Sequence, residues 1–253
     1  MIIAAPNGAR RTKADHPNLP ITVEEIAAEA ANCYGAGASV MHLHVRDKNG
    51  AHSLDAGLYR AASEAIAVAA PEMVVQITTE AAGVFGLEAQ IACVEDVMPE
   101  AVSVAWREFN PEENQSAERF YSWAAEAGIH VQHILYSVAE IERFKAHGMQ
   151  DQSVLLVLGK YQGQEASLVE LPQYVAALGE VHDWSLCSFG KQEHALAQAA
   201  IAMGGHVRVG FENNLWLADG SLAPNTAALV KQFKLDAMSA KEIRQFWRIK
   251  SNG

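Results

Sequence analysis

The chain has 253 residues, half of them hydrophobic, with 19 Lys and Arg against 30 Asp and Glu and a net charge of −11. That balance leaves no basic footprint for nucleic acid, and no stretch approaches the ~18 uninterrupted apolar residues of a membrane span. The opening MIIAAPNGARR lacks a basic n-region and a long apolar core, and no Pro/Gly/Ser linker interrupts the chain, so a cytoplasmic protein with one domain over 1–253 and no nucleic-acid or membrane partner is expected.

In chain order, short β-rich apolar runs alternate with longer amphipathic ones. A strand at 2–5 precedes a helix at 22–36, 39–45 precedes 55–70, 73–79 precedes 86–95, and 101–106 precedes 113–127. The second half repeats the rhythm: 129–135 then 137–147, 153–159 then 168–179, 183–189 then 191–203, and 206–212 then 223–235, with an added helix at 239–249. Thr22 reads as an N-cap, with Glu24 and Glu25 in the first turn where they suit the helix dipole. Cys33, Cys93 and Cys187 are odd in number and widely spaced, which supports neither a disulfide framework nor a thiolate zinc site.

Consecutive βα units over about 250 residues are the length and rhythm of a (β/α)8 TIM barrel, an α/β fold. The first turn, APNGARRT, holds one glycine and no G-x-G-x-x-G, which argues against an open dinucleotide-binding sheet.

In a barrel the active-site groups come from the C-terminal strand ends. Side chains alternate along a strand, so in SVMHLHVRD His42 and His44 share a face and Arg46 continues that row. Arg208, Gly210 and Glu212 share a parity in the last strand, which closes near the second. His42, His44 and Glu212 with an open fourth position form a usual catalytic zinc set. The same His-x-His also suits core packing or a polar hydrogen-bonded layer. Arg10, Arg11, Lys13, Arg46, Arg107, Lys160 and Lys191 follow strands, a positive rim that suggests an anionic ligand. LGKYQGQ and SFGKQEH set glycines beside Lys160 and Lys191, as phosphate-binding loops do and as ordinary loops also do.

Together PNGAR, HPNLPITVEEIA, AGASVMHLHVRD, GGHVRVGFENN and DGSLAPNTAALV resemble the β-keto acid cleavage enzymes, over nearly the whole chain. The resemblance implies a zinc-dependent barrel that assembles as a homo-oligomer, a tetramer being favoured, and converts a β-keto acid plus acetyl-CoA into acetoacetate and a new acyl-CoA. It implies His42, His44 and Glu212 as ligands of zinc or a similar divalent ion, and Arg208 as the cation beside the thioester. Thr78 matches the segment that holds the keto-acid carboxylate, and Asn7, Arg10, Arg46 and Asn213 fall on the substrate side. Lys160, Gly190 and Lys191 fall to CoA.

The departures concern acid–base chemistry. The family commonly has an aspartate base after the zinc glutamate, where this chain has Asn213, and an amide cannot take that role. Arg10 stands where the family often has a glutamate, TTE with Glu80 replaces a Gly-rich turn, and the fourth strand ends AWREFN with Glu108. Glu80 or Glu108 is therefore expected to supply the missing carboxylate, or to pair with a cationic substrate tail, a salt bridge to Arg10, Arg46 or Arg107 being the plain alternative. A metal-dependent aldolase or hydrolase on the same barrel and a catalytically silent ligand-binding protein are the rival functions.

His130, His133, His194 and His206 are read as structural or solvated. Trp106, Trp184 and Trp216 are read as packing residues that could alternatively line a pocket. Helix 239–249, with Ile243, Phe246 and Trp247 on one face, is expected to cover the barrel or a subunit interface.

Overall fold

The structure, a computed structural model, describes residues 1–110, 112–160, 165–233 and 238–250. In chain order it runs β1 (Ile2–Ala4), α1 (Val23–Gly35), β2 (Val40–Leu43), β3 (Val45–Arg46), β4 (His52–Ser53), α2 (Ala56–Ala69), β5 (Val74–Thr78) and α3 (Leu87–Val97). Then come β6 (Ala101–Ala105), α4 (Trp106–Phe109), α5 (Gln115–Ala127), β7 (His130–Leu135), α6 (Val138–Ala146), β8 (Ser153–Leu158) and α7 (Leu171–Leu178). The last elements are β9 (Trp184–Ser188), α8 (Glu193–Ala202), β10 (His206–Val209), α9 (Thr226–Val230) and α10 (Ala240–Phe246).

Eight parallel strands close in the order β1-β10-β9-β8-β7-β6-β5-β2, so the expected (β/α)8 barrel is found. Local signals act as read: Thr22 and Glu25 form a reciprocal capping box that starts α1. Asp55 caps α2 by accepting from Leu58 N, and Gly128 ends α5 in the left-handed conformation.

The barrel interior is layered. At its N-terminal end Ile3, Val40, Val74 and Ala101 pack with Ile243 of α10 and with Trp247, which caps that helix. The terminal helix therefore covers the barrel's base; Trp247 stacks on His130 at 4.1 Å, and Arg244 pairs with Glu100 at 2.7 Å. Above this plug lies a polar belt. Gln76 Nε2 donates to Gln132 Oε1 at 3.2 Å, and Gln132 Nε2 donates to the hydroxyls of Ser153 and Ser185, each at 3.4 Å. At the upper end Ala105, Ile134, Leu155, Val157 and Phe189 form an apolar half-wall.

The structure departs from the sequence reading at four places. The second strand breaks at His44, because Asp47 accepts from Asn49 N and Ala51 N and turns the chain into the β3–β4 hairpin. The last strand stops at Val209, where Gly210 adopts φ +147° and Asn213 N and Asn214 N close a turn on its carbonyl. The fourth strand gives way to α4 at Trp106, and the helix expected at 223–235 holds only from Thr226 to Val230. Residues 161–164 of the LGKYQGQ loop and 234–235 of that helix lie outside the described residues.

The three cysteines are free and buried. His130 and His133 are structural: both have pKa values lowered to about 3, with burial the main cause. His206 meets the Met1 ammonium at 3.1 Å, and His194 packs against Phe233. Trp106 and Trp184 belong to the outer core, and Lys191 sits 4.6 Å over the Trp216 ring.

Candidate active site

A cavity of about 400 Å³ opens at the C-terminal mouth of the barrel. Its floor holds His42, His44, Arg208 and Glu212, all buried. His42 comes from β2, His44 from the break after it, Arg208 from β10, and Glu212 from the turn that Gly210 starts. Glu212 thus reaches the floor by a turn rather than by strand parity. A side chain at position 210 would bring a Cβ within 2.7 Å of the Ala5 carbonyl carbon, so glycine is required there.

The two imidazoles converge. His42 Nε2 lies 3.1 Å from His44 Nε2 and 3.6 Å from Glu212 Oε2, and His44 Nε2 lies 3.6 Å from Glu212 Oε1. His42 Nδ1 is 2.9 Å from Gln76 Oε1, whose orientation the glutamine belt fixes. Nδ1 therefore carries the proton and the Nε2 lone pair faces the cavity, the tautomer a metal ligand needs. Burial, then Arg208, hold the His42 imidazole well below its ordinary pKa, so it is neutral. Burial would raise the Glu212 carboxyl, but the Arg208 guanidinium beside it outweighs that and holds the group well below the usual carboxylate range. Two imidazoles and a carboxylate, their ligand atoms all within 4.8 Å of one another, fit a divalent ion of the zinc type.

Arg208 Nη1 approaches His42 Nε2 at 3.1 Å, and Nη2 donates to Glu212 Oε1 and to Cys187 Sγ, each at 3.4 Å. Thr78 lies on the wall, its hydroxyl accepting from Glu80 N at 3.1 Å. Glu80 and Glu108 line the same side, and burial raises the pKa of both. Glu80 stands 3.8 Å from Arg10, and Glu108 accepts from Ala81 N at 3.1 Å. Arg107 stacks 3.6 Å over the ring of Tyr136, and Lys160 completes the basic part of the lining.

Some residues expected at the substrate are placed elsewhere. Asn7 is buried behind the floor, where its amide donates to the carbonyls of Pro20 and His44, each at 3.1 Å. Arg46 donates to the carbonyls of Gly8, Ala9 and Arg11 and so fixes the first loop. Asn213 is fully buried and does not face the cavity: its amide donates to Arg208 O at 3.1 Å and to Glu193 Oε1 at 3.3 Å. Gly190 N donates to Asn213 O at 3.2 Å, so Gly190 and Lys191 flank that turn rather than the cavity.

Sequence reasoning missed Gln76, Cys187, Glu193 and His52, whose ring lies 5.2 Å from that of His44. Gln76 carried a signal, a polar residue of interior parity in a buried strand. Glu193 carried none, since an acid in the first turn of a helix reads as a dipole partner.

The sequence model of the beta-keto acid cleavage enzymes matches residues 1–243. The 3-keto-5-aminohexanoate cleavage enzyme of Fusobacterium nucleatum is 32% identical over 245 residues, 92% of this chain and 89% of that protein. The 3-oxoadipate:acetyl-CoA acetyltransferase of Cupriavidus necator is 27% identical, over 92% of this chain and 86% of its own. Among solved structures, the binary complex of ObcA with oxaloacetate superposes with a TM-score of 0.67 at 16% identity, over 91% of this chain and 67% of that one, a likeness of fold.

Proposed function

The chain belongs to the beta-keto acid cleavage enzyme family, and from that premise we propose that it cleaves a β-keto acid with acetyl-CoA, giving acetoacetate and a new acyl-CoA. The CH2–carboxylate fragment passes from the substrate acyl group to acetyl, and CoA passes the other way. Atoms and electrons balance without an oxidant or reductant. The relatives' names supply the acetyl-CoA-dependent transfer. The observation that carries the reading is the convergence of His42, His44, Glu212 and Arg208 on one cavity floor beside an apolar wall.

Zinc or a similar divalent ion held by His42, His44 and Glu212 would supply Lewis acidity toward a keto oxygen. Arg208 presents a buried guanidinium, fixed before substrate arrives, to a carboxylate or to the oxyanion that develops at a thioester carbonyl. Thr78 keeps its O–H proton for the substrate carboxylate, because its oxygen is already engaged by Glu80 N. Glu80 and Glu108, whose carboxyls burial raises above their ordinary pKa, are the groups on the wall that would give or take a proton. Lys160 and Arg10 on the lining face the anionic ends of CoA and substrate, and the apolar half-wall receives the acyl tail. The reading includes a cytoplasmic homo-oligomer, a tetramer by preference. Asn213, the motive for a silent binding protein, does not line the cavity.

The test is transfer of label. With acetyl-CoA carrying carbon-13 in the acetyl group, the acetoacetate formed should be labelled at its carbonyl and methyl carbons only, and the new acyl-CoA should be unlabelled. Unlabelled acetoacetate, or none from β-keto acids with cationic, neutral or anionic tails, contradicts the proposal.

A further inference from the structure

Behind the cavity floor lies a second set of polar side chains that the acyl transfer does not use. Glu193, at the start of α8, is 2% exposed, and Asn213 and Cys187 are each 0% exposed. Burial pushes the Glu193 carboxyl up to about 8, and a carboxyl group at such depth is costly unless its oxygens are met by partners. Here three N–H groups meet it: Gly210 N at 3.2 Å and Asn213 Nδ2 at 3.3 Å on one oxygen, and Asn214 Nδ2 at 3.3 Å on the other. All three donors belong to the turn that carries Glu212.

The contacts continue to Arg208 by two routes. Asn213 Nδ2 also donates to the Arg208 carbonyl at 3.1 Å. Asn213 Oδ1 accepts from the Cys187 thiol at 3.2 Å, and the same sulfur accepts from Arg208 Nη2 at 3.4 Å. The thiol can serve both partners because burial pushes its pKa up to about 12, so it keeps its proton. The barrel register sets Cys187 directly beside Arg208. An aspartate at 213 would set an acceptor oxygen against the Arg208 carbonyl, where Asn213 places a donor, so this arrangement uses the amide.

We propose that Glu193, Asn213 and Cys187 form a buried relay of positioning residues that holds the Arg208 guanidinium in its working orientation. The catalytic part of the inference rests on the acyl transfer proposed above; the orientation of Arg208 does not. The relay turns Asn213 from a missing base into a fixed bracket: its amide nitrogen is anchored on Glu193 and its oxygen on the thiol that receives the guanidinium.

The experiment uses the full-length, metal-loaded protein and the variants Glu193→Gln, Cys187→Ala and Cys187→Ser, each also made with Arg208→Ala. Glu193→Gln, which can keep two of the three donors, and Cys187→Ala are expected to lower kcat about 10- to 100-fold, the usual effect of removing a support behind a working residue. KM for acetyl-CoA should stay within about threefold, as for an interaction made only in the transition state. Cys187→Ser, which can still donate and accept, should recover kcat to within about threefold of the parent. With Arg208→Ala present, Glu193→Gln and Cys187→Ala should have no further effect on kcat. Undiminished effects without Arg208, or a serine variant as slow as the alanine one, overturn the relay. Crystal structures of the Cys187 variants give a readout independent of turnover: the guanidinium should leave Glu212 in the alanine protein and stay in the serine protein. If the parent turns over no β-keto acid, the acyl-transfer reading fails, and an unmoved guanidinium in Cys187→Ala separately overturns the relay.

Discussion

The Nε2 atoms of His42 and His44 face each other at 3.1 Å, and each lies 3.6 Å from a different oxygen of Glu212. Neighbouring imidazoles in a core usually turn their polar atoms to separate partners. Here both aim at one point, and the bond from His42 Nδ1 to Gln76 fixes the lone pair there. Gln76→Leu should weaken zinc binding 10- to 100-fold, read by competition with a chromophoric chelator, because the imidazole is then free to rotate and change tautomer. Unchanged affinity would show that Gln76 does not set the ligand.

Gly210 controls whether Glu212 arrives at all. Its φ of +147° and its contact with the Ala5 carbonyl leave no room for a Cβ. Gly210→Ala should cost about 1–3 kcal/mol of stability, read by urea unfolding, and should lower zinc stoichiometry in the fraction that folds.

Arg208 is the cation nearest the candidate ligands, and its removal should be felt at the chemical step. Arg208→Ala is expected to lower kcat about 10²- to 10³-fold with a smaller change in KM. Glu80→Gln should cost more than Glu108→Gln, since Glu108 already serves Ala81 N. Steady-state kinetics on the three variants gives the order.

His133 is buried among Trp106, Tyr121 and Phe144, with no hydrogen-bond partner for either ring nitrogen among the described residues. Its pKa falls from 6.5 to about 3 in the folded protein. A depressed value means that the unfolded chain binds a proton the folded one refuses, so the contribution is complete above pH 6.5 and is lost as pH falls toward 3. In that window stability should fall by about 1.4 kcal/mol per pH unit for this group, and His133→Leu should remove that share of the slope. Urea midpoints at pH 5 and pH 7 measure it.

Much of the barrel was legible because period and punctuation agree: strands of apolar residues alternate with capped amphipathic helices, and Thr22 with Glu25 marks α1 by a local bond. The convergence of the candidate ligands was legible for a partly mistaken reason. His42 follows strand parity, but His44 lies at a break made by Asp47, and Glu212 is delivered by the turn at Gly210. Both reach the floor because a turn of the right length puts a side chain where continuing the strand would have put it. Glu193 and Asn7 were opaque in opposite ways. A buried first-turn glutamate has the same local sequence as a solvated one, and Asn7 sits in a motif that resembles a substrate loop yet spends its amide on Pro20 and His44 carbonyls. Burial of a polar group is a long-range property, which neighbours in sequence do not report.

The most direct measurement combines metal content and turnover on one sample. Purified protein is assayed for zinc and for acetyl-CoA-dependent acetoacetate formation, beside His42→Ala prepared identically. The expected result is roughly one zinc per chain with turnover of one class of β-keto acid, both lost in the variant, as a single tetrahedral His-His-Glu site requires. Zinc-loaded protein that converts no β-keto acid, or full turnover by a His42→Ala protein free of metal, would contradict the central claim.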